Sequence, residues 1–158
     1  MMARVGTAAP AWRGEEGRHG MEIERAREFL RHNHRAVLHT FRRDGSPQLS
    51  PVACSIDDSG RAIVSTSETS AKARNARRDE RISLCVFQDS FFGDWVQIDG
   101  SAEVISLPDA MDGLIAYYRS IGGEHPDWDE YRNAMVTEQR VLIAVTIERA
   151  GPDSPRLR

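Results

Sequence analysis

Long apolar runs are absent from this chain of 158 residues. No stretch approaches the ~20 hydrophobic residues that a bilayer-crossing helix needs, so a membrane protein is not expected. Cysteine is scarce: Cys54 and Cys85 stand alone, both inside apolar-patterned segments. That excludes a disulfide-stapled scaffold and predicts reduced thiols in a cytoplasmic protein. Glycine-rich phosphate fingerprints of the Rossmann or Walker kind are missing. None of the five histidines falls in a His-Glu-x-x-His or comparable metal-ligand spacing, so no metal centre is expected. A basic surplus is missing too. The formal net charge is −3, the isoelectric point is near 6.0, and no groove-reading motif occurs, which argues against nucleic acid as a partner.

What is present describes one soluble domain: 40% hydrophobic and 28% charged residues, in a chain long enough to bury a core unaided. Residues 1–20 lack both a continuous apolar segment and periodicity, and are expected to form a disordered tail and not a secretory leader. The folded domain is placed over residues 21–150, with a flexible C-terminal tail over residues 151–158.

Periodicity then divides the domain. Ile23, Ala26, Phe29 and Leu30 recur at helical spacing over residues 22–33. Strands are expected over 36–41 and 47–56, joined by a turn at Asp44-Gly45, and over 61–65 after the turn at Ser59-Gly60. Pro47 and Pro51 confine the second of these to an edge, or interrupt it. Further strands follow over 82–87, 95–105 and 141–148, with Gly100 marking a bulge and the last strand apolar on both sides. Pro108 opens one helix, which Gly122-Gly123 ends, and a second helix spans 126–135. Six mostly antiparallel strands with helices in the connections make a small β-barrel with helical insertions, a mainly β (α+β) fold.

Residues 65–81 concentrate chemistry that folding alone does not demand. Ser65, Thr66, Ser67, Thr69 and Ser70 lead into a short helix with five cations, Lys72, Arg74, Arg77, Arg78 and Arg81, against Asp79 and Glu80. Free N–H groups at a helix start, preceding hydroxyls and a first-turn lysine suit a phosphate or carboxylate. Lys72 and Asn75 could meet such an anion. Equally, Lys72 could snorkel to solvent while Asn75 bonds a neighbouring strand. Trp95, Trp128 and Tyr131 suit core packing better than cofactor contact.

Three runs occur in a telling order: Asp44-Gly45-Ser46-Pro47-Gln48-Leu49-Ser50-Pro51-Val52, then Thr69-Ser70-Ala71-Lys72-Ala73-Arg74-Asn75-Ala76-Arg77-Arg78-Asp79, then Gln97-Ile98-Asp99-Gly100-Ser101-Ala102-Glu103-Val104. Together they resemble the pyridoxamine-5′-phosphate-oxidase-like, FMN-binding split β-barrel family. Toward the C-terminus, Tyr118-Arg119, Gly123-Glu124-His125-Pro126-Asp127-Trp128, Tyr131-Arg132, Met135-Val136 and Arg140-Val141-Leu142 resemble its branch that uses coenzyme F420, a deazaflavin.

The resemblance implies a six-stranded antiparallel split barrel forming a homodimer, with two cofactor sites at the subunit interface. It implies that Ser65, Thr66, Ser67, Ser70, Lys72 and Asn75 carry the cofactor phosphate, with Lys72 the most direct match. Gln48 and Ser50 match positions lining the ring pocket, and Trp95 and Gln97 match the strand across from it. Arg74, Arg77 or Arg78 would face the cofactor's acidic tail. Two departures bear on the cofactor. FMN-binding oxidases carry an Arg-x-Val-Leu-Leu-Lys segment where residues 47–56 here hold no basic side chain. Many relatives place an arginine where this chain has Ser70. The implied function is an F420H2-dependent reductase passing a hydride to an unsaturated small-molecule acceptor. An FMN-dependent oxidoreductase and a non-catalytic flavin or deazaflavin carrier are the alternatives. No catalytic residue is singled out.

Overall fold

Alternating burial along the strands dictates how this chain folds back on itself. The computed structural model describes residues 21–152, so the tail expected over residues 1–20, and the C-terminal one beyond Pro152, lie outside the described residues. The elements follow as α1 (Ile23–His32), β1 (Arg35–Phe41), β2 (Pro47–Ala53), β3 (Ser55–Ile56), β4 (Ala62–Ser67), α2 (Ala71–Arg78), β5 (Arg81–Phe87), β6 (Trp95–Ile105), α3 (Met111–Gly122), α4 (Trp128–Thr137) and β7 (Arg140–Gly151). They form one antiparallel sheet of seven strands in the order β2-β1-β5-β6-β7-β4-β3.

Seven strands replace the expected six because the strand over residues 47–56 changes partner at Cys54. Before it, Pro47 to Ala53 pair with Phe41 to Arg35 of β1. After it, Ser55 and Ile56 pair with Ile63 and Ala62 of β4. One length of chain thus touches both edges of the sheet and curls it into a barrel that stays open between β2 and β4. The crossing is pinned by the Cys54 N–H donating to the His34 carbonyl (2.8 Å) and by His34 Nδ1 donating to the Cys54 carbonyl (2.9 Å). Pro47 and Pro51 are tolerated because β2 has no second ladder partner among the described residues.

Inward-facing residues build the main core. Leu38, Leu84 and Ile98 form one cross-strand row, Ala36, Val86 and Val96 the next, and Val64, Ile143 and Val145 complete it. The α1 residues Ala26 and Leu30 join this cluster at one end of the barrel. At the other end α2 buries Ala73, Asn75 and Ala76. A second cluster lies outside the barrel, where Ile63, Leu142 and Ala144 pack under Ala110, Leu114, Ile115, Tyr131 and Met135. That explains why β7 is apolar on both sides. The expected bulge falls between Asp99 and Gly100, where a side-chain carbon at Gly100 would run into the Thr146 carbonyl. β7 continues past the expected end at Glu148, since Gly151 pairs with Gln97. The helix expected from Pro108 begins at Met111, and the one expected from Pro126 begins where the Asp127 carboxylate accepts the N–H groups of Asp129 and Glu130.

With α1 and α2 at the ends and α3 and α4 over β4 and β7, the outer face of β2, β1, β5 and β6 carries no helical layer among the described residues. Its rows read Ala53, Arg35, Phe87, Trp95; then Pro51, Val37, Cys85, Gln97; then Leu49, His39, Ser83, Asp99.

Candidate functional site

The hydroxyl run begins as the end of β4. Thr66 points inward with Val64 and is buried, while Ser65 and Ser67 share the outer side with Ile63. The chain then turns sharply into α2. Glu68 N–H donates to the Gln139 carbonyl (2.8 Å) and Ser70 N–H to the Ser67 carbonyl (3.1 Å). Ser70 Oγ accepts from Ala73 N–H at 3.1 Å, an N-cap that starts the helix at the position expected from sequence. The first-turn N–H groups of Ala71 and Lys72 have no helical acceptor ahead of them.

The cations of α2 divide by commitment. Arg77 ends on the Glu68 carboxylate (2.8 Å) and Ser106 Oγ (2.7 Å), and Arg78 on the Phe41 carbonyl (2.7 Å) and Asn75 Oδ1 (2.9 Å). Just past the helix, Arg81 pairs with Asp79 at 2.6 Å and stacks over the Phe41 ring. Its hydrogen bonds hold the Asp79 carboxyl down to about 2. These three arginines fasten the helix. The side chains of Lys72, half-buried, and Arg74, exposed, make no hydrogen bond or ion pair among the described residues. Asn75 takes the second of the two roles open to it from sequence: its Nδ2 donates to Thr40 Oγ1 (3.1 Å), tying α2 to β1 inside the protein.

Two side chains not anticipated as site members define the opening between β2 and β4. The β3–β4 register, continued, would set Ala53 opposite Ser65. There the Tyr117 hydroxyl donates to the Ala53 carbonyl (3.0 Å) and is hydrogen-bonded by the Ser65 backbone, so it stands in for the missing ladder. Burial pushes this phenol up. Arg140, opposite Ser67 in the β4–β7 ladder, donates from Nε and one terminal nitrogen to Ser65 Oγ at 3.1 and 2.9 Å. Arg140 was visible in sequence as the cation heading the apolar last strand. Tyr117 gave no signal, because helical periodicity assigns the buried face to Leu114, Ile115 and Tyr118.

Other expected site residues lie apart. Gln48 and Ser50 share the inward side with Thr40 and Leu38, and Gln48 is engaged by Arg42 Nε at 3.1 Å. Trp95 and Gln97 lie on the uncovered outer face of β6, and Trp95 is 45% exposed instead of packed in the core. Within one chain the two pairs face away from each other. Trp128 and Tyr131 do pack as expected: with Tyr118 and His125 they form an aromatic cluster whose ring centroids lie 5.1 to 5.8 Å apart, locking α4 onto α3. Burial raises the Cys54 thiol to about 12, which removes it as a nucleophile.

Known proteins resemble this chain in sequence and in fold. The sequence matches the pyridoxamine 5'-phosphate oxidase family over residues 23–152. It is 33% identical over 123 residues to an F420H(2)-dependent biliverdin reductase of Mycobacterium tuberculosis (strain CDC 1551 / Oshkosh), covering 77% of this chain and 80% of that one. Among solved structures, a conserved hypothetical protein of Mycobacterium tuberculosis superposes with a TM-score of 0.68 at 23% identity over 84% of both chains. A protein described as an F420 reductase does so at 0.60 and 19% identity, over 78% of this chain and 94% of that one. An open antiparallel barrel whose β4 runs through hydroxyls into a lysine-bearing helix, matched from α1 to the end of β7, places this chain in the pyridoxamine 5'-phosphate oxidase family of split barrels.

Proposed function

We propose that the chain is an F420H2-dependent reductase that passes a hydride from reduced deazaflavin to an unsaturated small-molecule acceptor. The β4–α2 junction carries this reading: hydroxyls lead to a capped helix start whose Lys72 side chain has no partner among the described residues, while Arg77, Arg78 and Arg81 are all committed. Hydroxyls, free N–H groups and an ammonium fit a phosphate, and the nearby Glu68 carboxylate is neutralised by Arg77. The name of the 33% identical relative supports the deazaflavin. So does the lack of any basic side chain over residues 47–56, where FMN-binding oxidases carry two.

When bound, the deazaflavin supplies the hydride, and the protein supplies position. In this reading Ser65, Ser67 and Lys72 hold the phosphate, Arg74 meets the acidic tail, and Gln48 and Ser50 line the ring pocket from β2. Trp95 and Gln97 reach a ring only from another subunit, because within one chain they are turned away. The uncovered face of β2, β1, β5 and β6 therefore serves a homodimer with its sites at the interface, and the protein works in the cytoplasm.

Titration with oxidised and reduced F420 and with FMN tests the proposal. Deazaflavin binding is expected, weakened roughly ten- to hundredfold by Lys72→Ala, the worth of one charge-assisted contact. Consumption of reduced F420 is expected with biliverdin, quinone or unsaturated-lactone acceptors. FMN binding without deazaflavin binding would instead make the protein an FMN oxidoreductase. Tight deazaflavin binding with no turnover on any acceptor would make it a carrier.

A further inference from the structure

We infer that Arg140 is a second cation of the phosphate site, held in place by Ser65 and aligned to bind the anion together with Lys72. This rests on the reading just proposed and adds a residue that neither the sequence motifs nor the relatives' names assign. A guanidinium offers parallel N–H groups that match two oxygens of one phosphate or carboxylate. Arg140 directs two such groups at a single neutral hydroxyl, Ser65 Oγ, and among the described residues its ion-pair partner, Glu138, stands 4.0 Å away. Arg27 and Arg61, similarly sheltered, each end on a carboxylate, at 3.2 and 2.8 Å. The Arg140 side chain is 28% exposed, so its charge is partly stripped of water, and its field acts on the neighbouring Tyr117 and Tyr131 hydroxyls.

Its position completes the case. The Gln139 carbonyl receives the Glu68 N–H, so the guanidinium stands on the segment bonded to the entry of α2. Ser70 commits its side-chain oxygen to Ala73 N–H and brings no charge. In this proposal Lys72 meets the anion as a point charge from the helix and Arg140 as a planar fork from the strand.

Two ligand pairs that differ by the phosphate separate this role from a structural one: F420 against its phosphate-free deazaflavin chromophore, and FMN against riboflavin. For Arg140→Gln, F420 affinity is expected to fall roughly ten- to hundredfold while that of the phosphate-free chromophore changes less than about twofold. Arg140→Lys keeps the charge and loses the fork, so it is expected to restore only part of the affinity. It also serves as the test variant if Arg140→Gln melts early. Equal losses for both members of a pair, or F420 affinity unchanged in both variants, would overturn the inference. Wild-type protein that binds neither F420 nor FMN would bring down the parent reading, and this one with it.

Discussion

Ile63 and Leu142, on the outer side of β4 and β7, are 1% and 3% exposed, whereas Leu49 and Trp95, on the outer side of β2 and β6, are 61% and 45% exposed. All four belong to one antiparallel sheet. The connections make the difference. The chain between β6 and β7 contains both α3 and α4, and these fold back over the strands on either side of β7's ladder with β4. β1 and β2, and likewise β5 and β6, are joined by short loops that bring no covering element. The uncovered half is also patterned differently, with a polar row in which Asp99 accepts from Ser83 (2.6 Å), Gln97 (3.0 Å) and Arg149 (2.6 Å) amid Val37, Phe87 and Trp95. One half of the barrel is thus finished by its own helices, and in the proposed homodimer the other half is finished by a second copy.

The covered half should respond most strongly to truncation. Leu114→Ala removes a fully buried side chain from the α3–β7 cluster and is expected to cost about 2 to 5 kcal/mol in urea unfolding. A loss below about 1 kcal/mol would mean that the helical layer contributes little to the barrel. On the other half the effect is expected in assembly. Trp95→Asp should weaken self-association roughly a hundredfold or more and halve the mass seen by sedimentation, with the monomer still folded. Wild-type protein sedimenting as a monomer at tens of micromolar would erase the proposed distinction between the halves.

The smallest effect concerns acid. Burial by itself raises the Asp99 carboxyl, but the hydrogen bonds from Ser83, Gln97 and Arg149, with the charge of Arg149, outweigh it and leave the group below its ordinary range. A lowered folded value means that the stabilisation is complete above the ordinary carboxyl range, near about 4, and is lost as pH falls through the folded value. Asp99→Asn should therefore narrow the gap between urea midpoints at pH 7 and pH 3. An unchanged gap would assign the acid sensitivity to other pairs, such as Asp79 with Arg81.

Much of this was legible in the residues. Ser70 begins α2 because a hydroxyl can cap the N–H groups that no helical carbonyl reaches, and that is a local requirement. The Gly100 bulge and the two-sided β7 were equally open to a reader of the sequence, since alternation registers which strand faces are buried. Trp95 is exposed where core packing is expected of an aromatic, because it shares the polar side of β6 with Gln97 and Asp99, which no helix covers among the described residues. Among the arginines of α2, Arg77 and Arg78 could not be told from Arg74 as tail-facing cations by sequence, because Glu68, Ser106 and the Phe41 carbonyl, which occupy them, come from other elements.

From sequence alone came the order of strands and helices, the Ser70 start of α2 and the lysine-bearing helix after the hydroxyl run, all governed by neighbours a few residues apart. Only the tertiary structure decided that the strand over residues 47–56 changes partner at Cys54, that Tyr117 bridges Ala53 and Ser65 where the barrel opens, and that Arg140 meets Ser65 across β4 and β7. Those contacts join residues 20 to 75 positions apart, and hydrogen-bond partners at such separation are set by sheet closure, which no local pattern records.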